Sequence, residues 1–320
     1  GGLLKMNKPI KMLAGLMLAV TLAGAAAVAA PAVVSADTAT EQSSSSSSTA
    51  THTLSSSYVV YGAGAPQSVY DQLNSVMGVD SSFKKLTATA SDYAKYIGNG
   101  TTTDAAMISS VAIAPTDPGS GVKVNIKKYN GQSNITEVTA QQYAMVAQMA
   151  GVTDITIVVT ANRAVSGESA LTGVYKAFEE DGHQLNSQNT AAANSVLDAT
   201  QDAIDANKDD SSYPGKLMAA VGDTSKQIAQ QKQSSGELAT KADIQEMLNK
   251  ALEKRGIADQ TTTTQQEKIA GALVNFQNSP ISSSKTYINN VTNTINNVKN
   301  STGNLMNKAK NWANSEAGKE

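Results

Sequence analysis

Four groupings in this 320-residue chain have residue types and spacings that could support chemistry. Gly62-Ala63-Gly64 lies between an apolar run and a helical pattern, where glycines in a dinucleotide loop let backbone approach a pyrophosphate. The third glycine position is Gln67, however, and Pro66 removes an N–H that phosphate needs, so a plain strand-to-helix turn is favoured. Asp205, Asn207 and Asp209 match the first ligand spacings of a calcium loop. Its glycine position is Asp210 and its closing glutamate position is Lys216, so a solvated helix end is favoured. His183 follows Glu179, Glu180 and Asp181 and reads as a surface histidine completing a charged turn. The remaining grouping is Arg163 with Ser166 and Gly167, at a helix start after an apolar strand. There a serine cap and a guanidinium can hold an anion or carboxylate, against the simpler reading of a capped helix beside an exposed arginine.

Other chemistries are removed by what the chain lacks. It has no cysteine and no G-x-S-x-G elbow, so thiol and serine-elbow nucleophiles are excluded. The second histidine, His52, sits in a Ser/Thr tract with no specific role expected, which leaves no two-histidine metal motif. Neither metal nor cofactor is expected. Carboxylates paired from separate segments remain an open hydrolytic route.

The elements that position these groups centre on Gly151 to Phe178. Ile155, Ile157 and Val159 alternate with Thr156, Val158 and Thr160, and Val158 makes the second face partly apolar, so the strand is expected to be central and covered on both sides. Ala170, Val174 and Ala177 then share a helical face. Gly173 inside that helix costs ~1 kcal/mol against alanine, which is explained if the backbone sits close to the sheet. Further strands are expected at Tyr58 to Tyr61, Phe83 to Thr89, Met107 to Ala114 and Val122 to Lys127, the last with one wet face. Short helices are expected after Pro66 and over Ser91 to Ile97, and a longer one opens on the capping box Thr139/Gln142. Helical periods also cover Ala192 to Ala206, Pro214 to Gln231, Glu237 to Arg255 and Gln265 to Asn278. The fold class is therefore α/β of the mixed (α+β) kind, with about five strands in a mixed sheet covered by helices. A helical C-terminal region and a heptad-patterned tail helix follow it.

Five segments are expected: 1–36, 37–57, 58–185, 186–280 and 281–320. Lys8 and Lys11, the apolar run Met12 to Ala30 and Val34-Ser35-Ala36 form a secretory signal cleaved after Ala36, with Gly1 to Lys5 as upstream residues. A Ser/Thr spacer replaces any basic stop-transfer cluster, so no permanent membrane anchor is expected. Without cysteine, neither a lipid anchor nor a disulfide is expected, and stability rests on the core. Losing Lys5, Lys8 and Lys11 takes 25 basic residues to 22 against 27 acidic, a net of −5 with only two arginines, which argues against nucleic acid as a partner. In the tail, Ile281, Ile288 and Ile295 recur every seventh residue, as do Val291, Val298, Leu305 and Trp312. Ile281, Ile288, Val291, Ile295, Val298 and Leu305 thus form a seam for self-association, a partner, or folding back.

Met107-Ile108-Ser109-Ser110-Val111, Gly119-Ser120-Gly121-Val122-Lys123-Val124, Asn134-Ile135-Thr136, Ala150-Gly151-Val152-Thr153-Asp154 and Val165-Ser166-Gly167 with Ala170 to Ala177 occur in an order that resembles a known family. It is the secreted Gram-positive family catalogued as domain of unknown function 1002. The resemblance runs over residues 58–278 and implies export by Gram-positive bacteria with no established activity. The chain departs from the pattern at Ala161-Asn162-Arg163, where a Pro-containing apolar stretch is expected. The serine spacer and Asn-rich tail look like additions to it.

The function expected is that of a secreted or cell-envelope-associated, non-enzymatic binding protein, free in the medium or held non-covalently at the wall. The rivals are a carboxylate-dependent envelope hydrolase and a small anionic-ligand carrier. Each tail asparagine costs about 0.6 kcal/mol of helix propensity against alanine, so an isolated peptide over residues 281–312 is expected to show little helicity by circular dichroism. Strong monomeric helicity would refute that.

Overall fold

In the computed structural model, which describes residues 49–98, 101–299 and 302–320, the expected apolar runs form five strands. These are β1 (Tyr58–Gly62), β2 (Lys84–Ala88), β3 (Ser110–Pro115), β4 (Val122–Ile126) and β5 (Ile155–Thr160). They make one mixed sheet in the order β2-β1-β3-β5-β4, with β1/β2 and β4/β5 parallel and β1/β3 and β3/β5 antiparallel. β5 is internal and buried on both faces, as its sequence implied, while β3 holds the middle position. The eleven α-helices are α1 (Tyr70–Met77), α2 (Ala90–Tyr96), α3 (Ala140–Met149), α4 (Glu168–Glu180), α5 (Ser187–Ala206), α6 (Tyr213–Ser235), α7 (Lys241–Lys254), α8 (Thr263–Asn278), α9 (Lys285–Asn297), α10 (Leu305–Ala313) and α11 (Glu316–Lys319), counted among the described residues. The Thr139/Gln142 capping box opens α3 as expected: Thr139 Oγ1 accepts the Gln142 N–H, and the Gln142 side chain accepts the Thr139 N–H at 3.0 Å.

The two-residue period divides the strands between two apolar layers. Val60, Val111, Ile113, Ile157 and Val159 face α3 and α4, and this core continues without a break through α5–α9. Val59, Tyr61, Ala112, Ala114 and Val158 face the other way, against Leu73 and Met77 of α1 and Met306 and Ala309 of α10. The expected segments 58–185, 186–280 and 281–320 therefore share a single hydrophobic core, because α3 packs at once on β4, α5, α6 and α9. The face of β4 expected to be wet is only partly so, with Lys123 and Lys127 half-buried. Asn125 is buried, with its Oδ1 accepting the Leu305 N–H at the start of α10.

Gly173 lies where α4 touches the sheet. A Cβ there would stand 2.8 Å from a Val111 methyl and 3.1 Å from the Val60 Cβ, so the helix can approach only with a bare backbone. This contact, made by side chains from two strands, offsets glycine's helical cost.

Two expectations are corrected at the chain's margins. The leader with Ala36, and spacer residues 37–48, lie outside the described residues, but residues 49–57 are not a flexible spacer. Leu54 is buried, and His52 forms a parallel bridge with Val152, its N–H donating to the Gly151 carbonyl at 2.7 Å. The tail is not one heptad helix either. It is broken into α9, α10 and α11, and Ile281, Val291, Ile295, Val298 and Leu305 are buried within the chain, with Ile288 partly so. The seam is consumed by folding back. Its asparagines also bond to the chain: Asn297 Nδ2 donates to the carbonyls of Ser120 and Val122 at 3.0 and 2.9 Å, and Asn293 Nδ2 to that of Gly119.

Gly173→Ala is expected to lower stability by roughly 1–3 kcal/mol through overpacking, despite alanine's better helix propensity. Thermal or urea unfolding that shows stabilisation would contradict this packing. Asn297→Ala removes both donors and leaves the Val122 carbonyl without that partner, an expected loss of about 1–3 kcal/mol in the same assay.

Candidate anion-binding cleft

The structure brings Arg163, Ser166 and Gly167 together in the β5–α4 connection, but the protein itself occupies the helix start. Gly167, not Ser166, is the N-cap of α4, with φ +110° and no side-chain cap. A Cβ at Gly167 would meet the Tyr143 hydroxyl oxygen at 2.3 Å, and that hydroxyl donates to the Gly167 carbonyl. The Ala170 N–H donates to Ser109 Oγ at 2.9 Å, and Tyr93 donates its hydroxyl hydrogen to the Glu168 carboxylate at 2.6 Å. Arg163 is exposed, and its Nη2 reaches the Ala105 carbonyl at 3.4 Å. The cavity beside them is about 70 Å³ and is lined in part by Glu168, so a negative group already stands there. Ser109 lies too far away in sequence for any local pattern to reveal it.

The other sequence motifs resolve as local structure. Backbone N–H groups of the Gly62-Ala63-Gly64 turn are spent on protein: Ala63 donates to Ala88 O at 2.9 Å and Gly64 to Met107 O at 2.8 Å. Asn207 closes the end of α5, its Nδ2 donating to the carbonyls of Ala203 and Gln260 at 2.8 and 3.0 Å. Asp210 accepts from the Ser212 N–H and hydroxyl and from Gln260. Those bonds, with Lys216 nearby, hold its carboxyl below the usual carboxylate range. Buried or half-buried carboxylates elsewhere perform similar tasks. Asp92 caps α2 and pairs with Lys176 at 2.8 Å. The side chain of Asp154 accepts the Gly121 N–H at 3.0 Å.

A second cationic position emerges only in three dimensions. At the start of α6 a cavity of about 360 Å³ is lined by Gln141, Ser212, Gly215, Lys216, Arg255 and Lys299, with Val298 supplying an apolar wall. The three cations come from distant segments: Lys216 from the first turn of α6, Arg255 from the C-cap of α7, and Lys299 from just beyond α9. Arg255 is held in place by Asp223, whose Oδ2 accepts from Nε at 3.2 Å and Nη2 at 2.7 Å. Lys216 and Lys299 are exposed, and among the described residues neither makes an ion pair. The N-terminus of the 23-residue α6, with no side-chain cap from Ser212, adds positive potential at the same end. Such a cleft can hold anionic oxygens with two mobile point charges and one fixed, planar donor.

The fold and cleft define a helix-rich α/β protein built on a five-stranded mixed sheet. Residues 61–294 match the family model described as Protein of unknown function (DUF1002), and the chain belongs to that family. The matched range runs beyond residue 278, so most of α9 is part of the family's own pattern rather than an addition. The chain is also 30% identical over 151 residues to the "Uncharacterized protein YpuA" of Bacillus subtilis (strain 168). That alignment covers 46% of this chain and 50% of the relative, so the chain spans about half of the relative's length. No solved structure matches the chain. Among the described residues, no helix is long and apolar enough to cross a membrane, and no cluster of three or more His, Asp or Glu side chains is placed to hold a metal ion.

Proposed function

We propose that this is an exported protein that acts by binding, and that its ligand is a small phosphate-bearing anion seated in the cleft at the start of α6. The carrying observation is the convergence of Lys216, Arg255 and Lys299 on one cavity of about 360 Å³. The chain as a whole is acidic, with 27 Asp and Glu against 25 Lys and Arg, so this cluster runs against the general field and focuses anions locally. Asp223 accepts hydrogen bonds from Nε and Nη2 of Arg255 and so orients it, which lowers the ordering cost when a ligand arrives. Val298 gives the ligand's non-ionic part an apolar surface. The export half of the reading rests on the basic start, apolar centre and small-residue end of residues 6–36.

The test is isothermal titration with glycerol 3-phosphate at low ionic strength. Saturable binding is expected, weakening as salt is added. The Lys216→Ala/Lys299→Ala pair is expected to bind about tenfold more weakly, equivalent to ~1.4 kcal/mol. No heat from the unsubstituted protein at millimolar ligand would sink the ligand assignment. Separately, the mature product is expected in the medium or wall fraction of cultures; a leader-bearing product in the cytoplasm would sink the export half.

A further inference from the structure

The two histidines of the chain, 131 positions apart, stand ring against ring. His52 and His183 have centroids 5.2 Å apart with planes inclined by 33°. His52 belongs to the strap of residues 49–57 that lies over the ends of α3 and α4. The strap is held by few bonds: His52 N–H to Gly151 O at 2.7 Å, Thr153 N–H to His52 O at 3.0 Å, and the Thr51–Thr286 hydroxyl pair at 2.9 Å. Its other anchors are the Ser57 carbonyl, which accepts the Lys84 N–H at 2.9 Å, and Asp181, whose carboxylate accepts from the Ser55 N–H at 2.7 Å, the Ser55 hydroxyl at 2.9 Å and the Tyr58 hydroxyl at 2.8 Å.

We propose that residues 49–57 form an acid-released strap, closed while His52 is neutral beside the His183 ring and opened when His52 takes a proton. A proton on His52 places a charge in a half-buried setting that solvates it poorly, 5.2 Å from a second imidazole that offers no countercharge. The nearest countercharge serves His183 and not His52. From α4, the Asp181 carboxylate lies 3.4 Å from His183 Nε2 and keeps its charge while accepting three hydrogen bonds from neutral donors; Glu180 acts on Tyr58, and Phe178 presents a ring at 6.3 Å. From β1 the neighbour is the Tyr58 hydroxyl, and from β2 the Lys84 ammonium lies 5.7 Å from the Tyr58 ring. The segment ahead of β5 offers backbone, and the start of α9 offers the Thr286 hydroxyl. Among the described residues, no carboxylate pairs with His52.

The sign follows from linkage. Burial, and then His183, lowers the His52 pKa in the closed form. The closed strap therefore binds fewer protons than the open one. Its stability is fully present above the ordinary histidine value of about 6.5 and falls as pH drops through that value toward the lowered one.

Hydrogen exchange on the full folded chain tests this, comparing about pH 7.5 with about pH 5 after correction for intrinsic exchange rates. The amides of His52, Ser55 and Thr153 are expected to lose about tenfold in protection at the lower pH, while those of β3 and β5 keep theirs. His52→Phe, which keeps a ring without a proton site, is expected to hold the strap closed at both values. Equal protection of the strap at both pH values in the unsubstituted protein overturns the proposal, and so does the same acid loss in His52→Phe. If His52→Phe fails to dock its strap, proton NMR titration of the unsubstituted protein decides. A His52 midpoint below about 6.5 upholds the proposal, and one at or above it overturns it.

Discussion

The structure depends on how α9 seals the open edge of β4. β4 pairs only with β5, so its other side presents backbone groups that water or another chain would otherwise take. Thr294 Oγ1 accepts the Val122 N–H at 3.0 Å and donates to Gln148 Oε1 at 2.8 Å, while Asn297 donates to the Val122 carbonyl. Along the same buried stripe, one to two turns earlier, Tyr287 and Val291 pack on α6, where the Tyr287 and Ser225 hydroxyls are bonded at 2.6 Å. One helix therefore closes a sheet edge with polar groups and joins the helical layers with apolar ones.

That docking also organises the two surface features of interest. Lys299 enters the cationic cleft because Val298, fully packed, fixes the chain as it leaves α9. At the helix's first turn, Thr286 holds the strap through Thr51. Arg255 reaches the same cleft by a different route, as the residue ending α7 against Asp223 of α6.

Much of the fold was legible because it follows local periods. Val122, Val124, Ile155, Ile157 and Val159 announce their strands, Thr139 with Gln142 announces a helix start, and Gly173 announces a close helix–sheet contact. What escaped depends on distance in sequence. Asn293 and Asn297 read as poor helix formers because propensity counts only what a side chain does to its own turn, not that it meets a carbonyl more than 170 residues away. Serine-rich composition hid the strap, whose order comes from the burial of Leu54, the His52 bridge and the bonds of Thr51 and Ser55 to distant residues. The cleft was invisible for the same reason: Lys216, Arg255 and Lys299 each look like ordinary solvated charges until three helices place them together. Arg163 was conspicuous because it precedes a helix start after an apolar strand, yet its side chain is exposed.

The sealing residues follow all five strands in chain order, and this has a consequence for biogenesis. A chain emerging N-terminus first, from ribosome or translocase, assembles β1 to β5 well before Thr294 and Asn297 arrive. Throughout that interval the sheet is open along one side and able to recruit a neighbouring nascent chain. That exposure ends once α9 has emerged and Thr294 and Asn297 bond along β4.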